Sequence, residues 1–378
     1  MKKGIHILGL FGFYTLATLV LLVLVDRLFF KPKSDAEILQ FGQERFVLLK
    51  EGRPNMRVKL TPSKAFHHAA DNLERKPYML ACDERGYILP SKLNDIPDFE
   101  LVFLGGSTTQ CTFNDSLKRF AYLAGRLIEE KTGKRINSYN HGSGGAHSGH
   151  SLNTLLNKVV EHKPNYVVLM HAFNDFGTLV THGGYWQKDQ LYSNIKNINT
   201  RHKTIGTEGR SLLRTVFPGI DNYLKSNHSL QSDTSFLRQE KFDKQLSLEE
   251  CKQLFRQNLL AFVQICKAYE ITPIIMTQPH RLTEEKQDGA YHYWRMVADP
   301  RRTNYPLTYN ELIEFEETFN QEIRTFCSSE KVILIDMEAE VPKQKEYMYD
   351  AIHFTDKGCE KVAEVIANTM VDSLGLFQ

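Results

Sequence analysis

Beyond residue 98 the chain carries five short β-rich runs: Leu101 to Leu104, Ile136 to Tyr139, Tyr166 to Met170, Pro273 to Thr277 and Val332 to Asp336. Helical patterns lie between them, and strands alternating with helices predict a parallel sheet covered by helices on both faces. Val332, Ile333, Leu334 and Ile335 are apolar without a break, as a strand covered on both sides requires. A last helix is expected from Thr355 as its N-cap, with Cys359, Val362, Ala363, Ile366 and Met370 on one face.

A different pattern opens the chain. From Gly4 to Val25 there is no Asp, Glu, Lys or Arg, and about 20 apolar residues are what a helix needs to cross a bilayer. Asp26, Arg27, Leu28, Phe29 and Phe30 follow in place of a small-residue cleavage site, so residues 1–30 are expected to be an uncleaved transmembrane signal anchor. Lys2, Lys3 and the α-amino group are offset by Arg27, Lys31 and Lys33, so the flanking charges alone do not set the orientation; the expectation is a short cytoplasmic tail with the rest of the chain outside, on the periplasmic or cell-surface side. Residues 31–98 are polar and turn-rich, with a helix-like stretch near Asp35 to Lys50 and a turn at Asp83 to Gly86, and are expected to form a stalk or cap. Residues 99–378 then make the main domain, interrupted at about 177–248 and 281–306 by long insertions of the kind that serve as lids or surface excursions.

Composition narrows the function classes. With 47 basic and 45 acidic side chains interspersed and a net charge of +2, the chain shows no basic stripe for a nucleic acid. The six cysteines are scattered with no CxxC or metal-ligand spacing, and no cofactor is expected.

The chemistry gathers where strands end, because in a parallel sheet reactive groups collect at the carboxyl edge. Ser107 follows the first strand in "ELVFLGGSTTQC". Gly105 and Gly106 are expected to let the backbone turn sharply there. Taken alone, the serine suits a nucleophile, a phosphate cradle or a plain helix N-cap; neither GxxxxGK[ST] nor GxGxxG is present. The next two strand ends read "YNHGSGGAHSG" and "LMHAFND", where the Gly145 N–H and the Asn174 amide are available to a developing negative charge. "YDAIHFTDKG" supplies Asp350 and His353, three residues apart, as a base and its orienting carboxylate. His141, His147 and His150 flank the second block without a carboxylate or cysteine at ligand spacing, so no metal is expected. His171 is left outside the catalytic set. Trp186 and Trp294 fall in the insertions, where packing is favoured over sugar binding.

In these blocks the chain resembles the SGNH/GDSL hydrolase superfamily of esterases and acyltransferases, from about Asp98 to the C-terminus. Gly105, Gly106 and Ser107 match the nucleophile block, with Gly106 where an Asp is common. Asn140 and Gly145, with Gly142, match the second, and Ala172, Phe173, Asn174 and Asp175 match GxND with Ala for Gly. Asp350 and His353 match DxxH in full. The resemblance implies a flavodoxin-like three-layer α/β/α sandwich with about five parallel strands. It also implies an acyl-enzyme on Ser107, His353 as base, Asp350 orienting it, and an oxyanion hole of Ser107 N–H, Gly145 N–H and Asn174. The expected substrate is an ester, such as an O-acetyl group on an envelope glycan. An O-acyltransferase, or a noncatalytic glycan-binding relative, are the alternatives.

Overall fold

The computed structural model describes residues 2–29, 47–186, 196–198, 246–297 and 307–373. Most of the helix-like stretch near Asp35 to Lys50, most of the first insertion and the end of the second lie outside the described residues. The chain divides into two compact units, Met1–Leu48 with Asn197–Glu240 and Leu49–Lys196 with Lys241–Gln378.

In the first unit the N-terminal segment is helical, α1 (Lys2–Phe29), and Phe13, Leu16, Leu21 and Phe29 are exposed on it. Among the described residues no helix is long and apolar enough to cross a membrane. The helix was legible in the sequence, and the expected span is not supported by the fold.

The second unit begins with β1 (Arg57–Leu60), α2 (Lys64–Ala69) and β2 (Tyr78–Ala81). The two strands pair antiparallel, Arg57 opposite Ala81. The Asp83 to Gly86 turn closes through Gly86 N–H donating to the Asp83 carbonyl, with Gly86 at φ 81°. Residues 49–98 pack on the sheet unit itself: Ile88 N–H donates to the Asn140 carbonyl. The buried Arg119 guanidinium donates to the carbonyls of Met79, Leu89 and Cys111.

The chain continues through β3 (Phe99–Gly105), α3 (Ser107–Gln110), α4 (Phe120–Thr132), β4 (Ile136–Gly142) and α5 (Ser148–Thr154). Next come β5 (Tyr166–Met170), α6 (Phe173–His182), α7 (Leu248–Ala268), β6 (Thr272–Met276) and α8 (Asp288–Val297). The last elements are α9 (Tyr309–Glu330), β7 (Ile333–Ile335), α10 (Met337–Glu340) and α11 (Asp356–Ser373). Local chemistry sets several of these ends. Ser247 with Glu250 and Thr308 with Glu311 form reciprocal capping boxes at α7 and α9, and Gly133 closes α4 at φ 68°.

All five predicted strands are present, and they pair in parallel in the order β4-β3-β5-β6-β7. Successive side chains of a strand point to opposite faces. Leu101 and Phe103 accordingly join Phe120, Ile128, Val362 and Ile366 in one core, and Val102 and Leu104 join Phe176, Phe255, Phe262 and Phe319 in the other. Both faces being covered is why β3, β5 and β6 read as nearly continuous apolar runs, whereas the edge strand β4 carries Asn137, Ser138, Asn140 and His141. The order also fixes where a site can form. Chain connections leave β3 and β5 in opposite directions, which opens a crevice beyond their carboxyl ends. Gly105 is level with Gly142 and with Met170, so three strand ends meet at one height.

Candidate active site

Ser107 begins α3 at the end of β3. From Leu101 to Thr109 every residue is buried except Ser107. The two glycines before it were expected to let the backbone turn sharply without Cβ clashes, and since Gly106 has φ −85°, a value any residue adopts, the dihedral itself does not call for glycine. They are required by close approach instead. A Cβ on Gly105 would overlap the Thr109 hydroxyl and lie 2.9 Å from the Met170 carbonyl, and one on Gly106 would overlap Asn174 Nδ2.

Asp350 and His353 lie in the turn before α11. Asp350 Oδ1 accepts from the backbone N–H groups of Ile352 at 2.9 Å and His353 at 2.8 Å, an arrangement in which the carboxylate folds its own turn. Its Oδ2 is 2.7 Å from His353 Nδ1, and His353 Nε2 is 2.8 Å from Ser107 Oγ. A carboxylate only accepts, so Nδ1 carries the proton and Nε2 accepts the Ser107 O–H. Asp350 is buried, and from Met348 to Phe354 only His353 is partly accessible. The three residues, drawn from positions 246 apart in sequence, form one hydrogen-bonded line that ends at solvent on the serine.

The two remaining predicted positions, Asn174 and Gly145, flank this line. Asn174, in the first turn of α6, is the one partly accessible residue from His171 to Phe176. Its Nδ2 donates to the Ala146 carbonyl at 2.8 Å. Gly145, at φ 68°, precedes Ala146, so the loop after β4 and the Asn174 amide are in direct contact. Lys50 Nζ donates to the Gly145 carbonyl at 2.8 Å. Asn140 braces the same edge, donating to the Thr109 carbonyl and accepting from Gly142 N–H, each at 2.8 Å.

Beneath Asn174 lies a buried polar group. Asp175 accepts from Ser148 through its backbone N–H, at 3.0 and 3.1 Å, and its hydroxyl, and from Tyr185 OH at 2.6 Å. Burial pushes the Asp175 carboxyl up to about 6 despite these donors. His171 Nε2 is 2.7 Å from Ser151 Oγ, and burial, with His147 nearby, lowers His171 to about 3. His141 is likewise lowered to about 4 by burial and Lys158, beside Glu51, and the rings of His147 and His150 lie 3.8 Å apart. These histidines form the packing around the second block.

Several contributors were not found in the sequence. Tyr349 stacks on the His353 ring at 5.6 Å and 7°, and Tyr293 of α8 meets it edge-on at 5.8 Å. Arg281, fully buried, donates to the Met348 carbonyl at 2.8 Å and from its backbone N–H to the Ala351 carbonyl at 2.7 Å. It also pairs with Asp71, which accepts from Gly289 N–H at 3.0 Å. The second insertion and residues 49–98 thus clamp the Asp350–His353 turn from opposite sides of the sequence. A tyrosine directly before the Asp350 motif was the one local signal. Trp294 is partly buried, its Nε1 donating to the Leu307 carbonyl at 2.8 Å, whereas Trp186 is 79% exposed.

Residues 103–361 match the GDSL-like Lipase/Acylhydrolase family. Among solved structures the chain is similar to Axe2, an acetylxylan esterase from Geobacillus stearothermophilus, at 14% identity over 74% of this chain and 95% of that one, with a TM-score of 0.40. It is also similar to a putative GDSL-like lipase from Parabacteroides merdae, at 12% identity over 75% and 99% of the two chains and a TM-score of 0.41. LAE5, an alpha/beta hydrolase enzyme from the metagenome of Lake Arreo, matches at 14% identity over 75% and 97%, with a TM-score of 0.41. No curated protein matches the sequence.

Proposed function

The chain belongs to the GDSL-like lipase/acylhydrolase family, hydrolases acting on ester bonds, and we propose that it cleaves its ester through an acyl-enzyme on Ser107. The observation that carries this reading is the unbroken line from Asp350 through His353 to the accessible Ser107 hydroxyl. Ser107 Oγ attacks the acyl carbon as its proton passes to His353 Nε2, and Asp350 holds the imidazolium that results. The carbonyl oxygen takes up the negative charge and is met by the N–H groups of Ser107 and Gly145 and by the Asn174 amide. Such donors act most strongly where they are fixed in advance, and one of them contributes about 3 to 4 kcal/mol to the transition state. His353 then protonates the departing alcohol, and water, activated by the same imidazole, releases the acid and restores Ser107.

The substrate we assign is an O-acetyl group on an envelope glycan, by analogy with membrane-anchored members of the family. An O-acyltransferase would use the same acyl-enzyme with a sugar hydroxyl in place of water. The assay that decides uses an aryl acetate with and without oligosaccharide acceptors, beside Ser107→Ala. Hydrolysis that vanishes in Ser107→Ala is expected, whereas activity surviving that change overturns the mechanism and acetylated sugar among the products identifies a transferase.

The reading places the enzyme at a membrane, tethered by α1 with its hydrolase domain outside the cytoplasm. Support comes from the charge-free stretch Gly4 to Val25 and the exposed apolar side chains of α1. The full chain should sediment with membranes while a chain begun at Lys31 stays in the supernatant; equal release of both sinks the tether.

A further inference from the structure

Gln278 lies just beyond β6, two strands away from β3 in the sheet, yet its buried side chain reaches both flanks of the candidate site. Its Oε1 accepts from the Phe173 N–H at 3.1 Å, and its Nε2 donates to Thr108 Oγ1 at 3.1 Å. Phe173 immediately precedes Asn174, and Thr108 immediately follows Ser107. One carboxamide therefore bridges the turn that carries the nucleophile and the turn that carries the oxyanion amide, across the end of β5. The bridge is itself anchored. Gln278 N–H donates to Asn320 Oδ1 at 2.8 Å, and Asn320 Nδ2 donates back to the Gln278 carbonyl at 2.9 Å, from a fully buried position on α9.

We infer that Gln278 is a positioning residue that sets the separation between Ser107 and Asn174. A planar amide with one donor and one acceptor suits this task, because it satisfies a hydroxyl on one side and a backbone N–H on the other. The chemistry is sensitive to small displacements, since oxyanion donors must sit about 2.7 to 3.1 Å from where the charge develops and a shift near 1 Å costs on the order of 100-fold in rate. Gln278 touches no reacting atom in this scheme. Its effect is felt in the transition state and not in the binding of the ground-state ester.

The inference rests on the acyl-enzyme reading of Ser107, and its test is arranged to separate the two. Gln278→Met keeps the length of the side chain and removes both bonds, and Thr108→Val removes only the bond on the nucleophile side. On an aryl acetate, Gln278→Met is expected to lower kcat by roughly 10- to 100-fold with KM within about twofold. The inhibition constant of an aryl boronic acid, which mimics the tetrahedral intermediate, should rise in parallel. Thr108→Val should give a smaller fall in kcat, and the double variant should be no slower than Gln278→Met, because the shared bond is already gone. Unchanged kcat in Gln278→Met, a rise in KM alone, or effects that multiply in the double variant would overturn the inference. If Gln278→Met does not fold, Thr108→Val decides: wild-type kcat and boronate affinity there would overturn it too. Absence of Ser107-dependent hydrolysis in the wild type would instead remove the acyl-enzyme reading on which both depend.

Discussion

At Gly106 the chain carries no side chain where the family's nucleophile block commonly has a carboxylate, and the amide of Asn174 occupies the space, close enough that a Cβ would overlap it. In this chain Gly106 leaves room for the Asn174 amide beside Ser107. Gly106→Ala should push the amide away from Ser107 and lower kcat towards the roughly 100- to 1,000-fold loss expected of Asn174→Ala, with KM little affected. Wild-type kcat in Gly106→Ala would place Asn174 outside the oxyanion site. Ser107 and Asn174 stood out as candidates in the sequence because each lies in a short motif just after a strand, and Asp350 and His353 because they sit three residues apart in one motif before the last helix. Gln278, Arg281, Asp71 and Tyr293 were not, because their partners stand far away in the chain: 105 residues for Gln278 and Phe173, 210 for Arg281 and Asp71. No local pattern of apolar and polar positions encodes such a contact.

Among the elements, α11 has the most direct hold on the chemistry, through the turn that precedes it. Thr355 caps it as predicted, its Oγ1 accepting from Gly358 N–H at 3.1 Å while its own N–H donates to the Tyr347 carbonyl at 3.0 Å. Met348 bridges to Phe354 across the same turn, so the Asp350–His353 segment is a closed loop pinned to the helix start. Gly358 is the point of closest approach, where a Cβ would overlap the Tyr347 carbonyl. Gly358→Ala forces either the loop or the helix to shift, a loss of about 1 to 3 kcal/mol by analogy with overpacked cores. Thermal unfolding should register it together with a fall in kcat, as His353 moves relative to Ser107. Full stability and full activity would show that the loop is not held by this contact. The face of α11 was predictable residue by residue: Cys359, Val362, Ala363, Ile366 and Met370 are all buried. Residues 49–98 resisted the same treatment, since their place is fixed by Arg119, Asp71 and Ile88 reaching distant carbonyls, carboxylates and guanidinium groups, not by periodicity.

For the whole molecule, the buried ionisable groups set opposing pH dependences. Burial lowers His141 to about 4, and His171 and His280 to about 3. Below pH 6.5 the unfolded chain therefore binds protons that the folded chain refuses, and stability is lost as the pH falls towards those values. Asp175, raised to about 6, and Glu316, raised well above its ordinary 4.5, act the other way. There the folded chain holds the proton longer, so their contribution is full below the unfolded carboxyl values and is lost as the pH rises. Glu316 is the sharper case, because it is fully buried on α9 and neither carboxyl oxygen has a hydrogen-bond partner among the described residues. Ionising it there without a partner is costly, and burial, the first cause of its shift, is answered only weakly by Lys343. Glu316→Gln fixes the neutral form in nearly the same shape. At pH 4 the two proteins should unfold at similar temperatures. From about pH 5 upwards the variant should gain on the wild type by up to about 1.4 kcal/mol per pH unit, until the folded carboxyl itself ionises. Thermal midpoints measured from pH 4 to 9 read this divergence directly, and a wild type that gains on Glu316→Gln as the pH rises would mean that the carboxylate is stabilised where it lies.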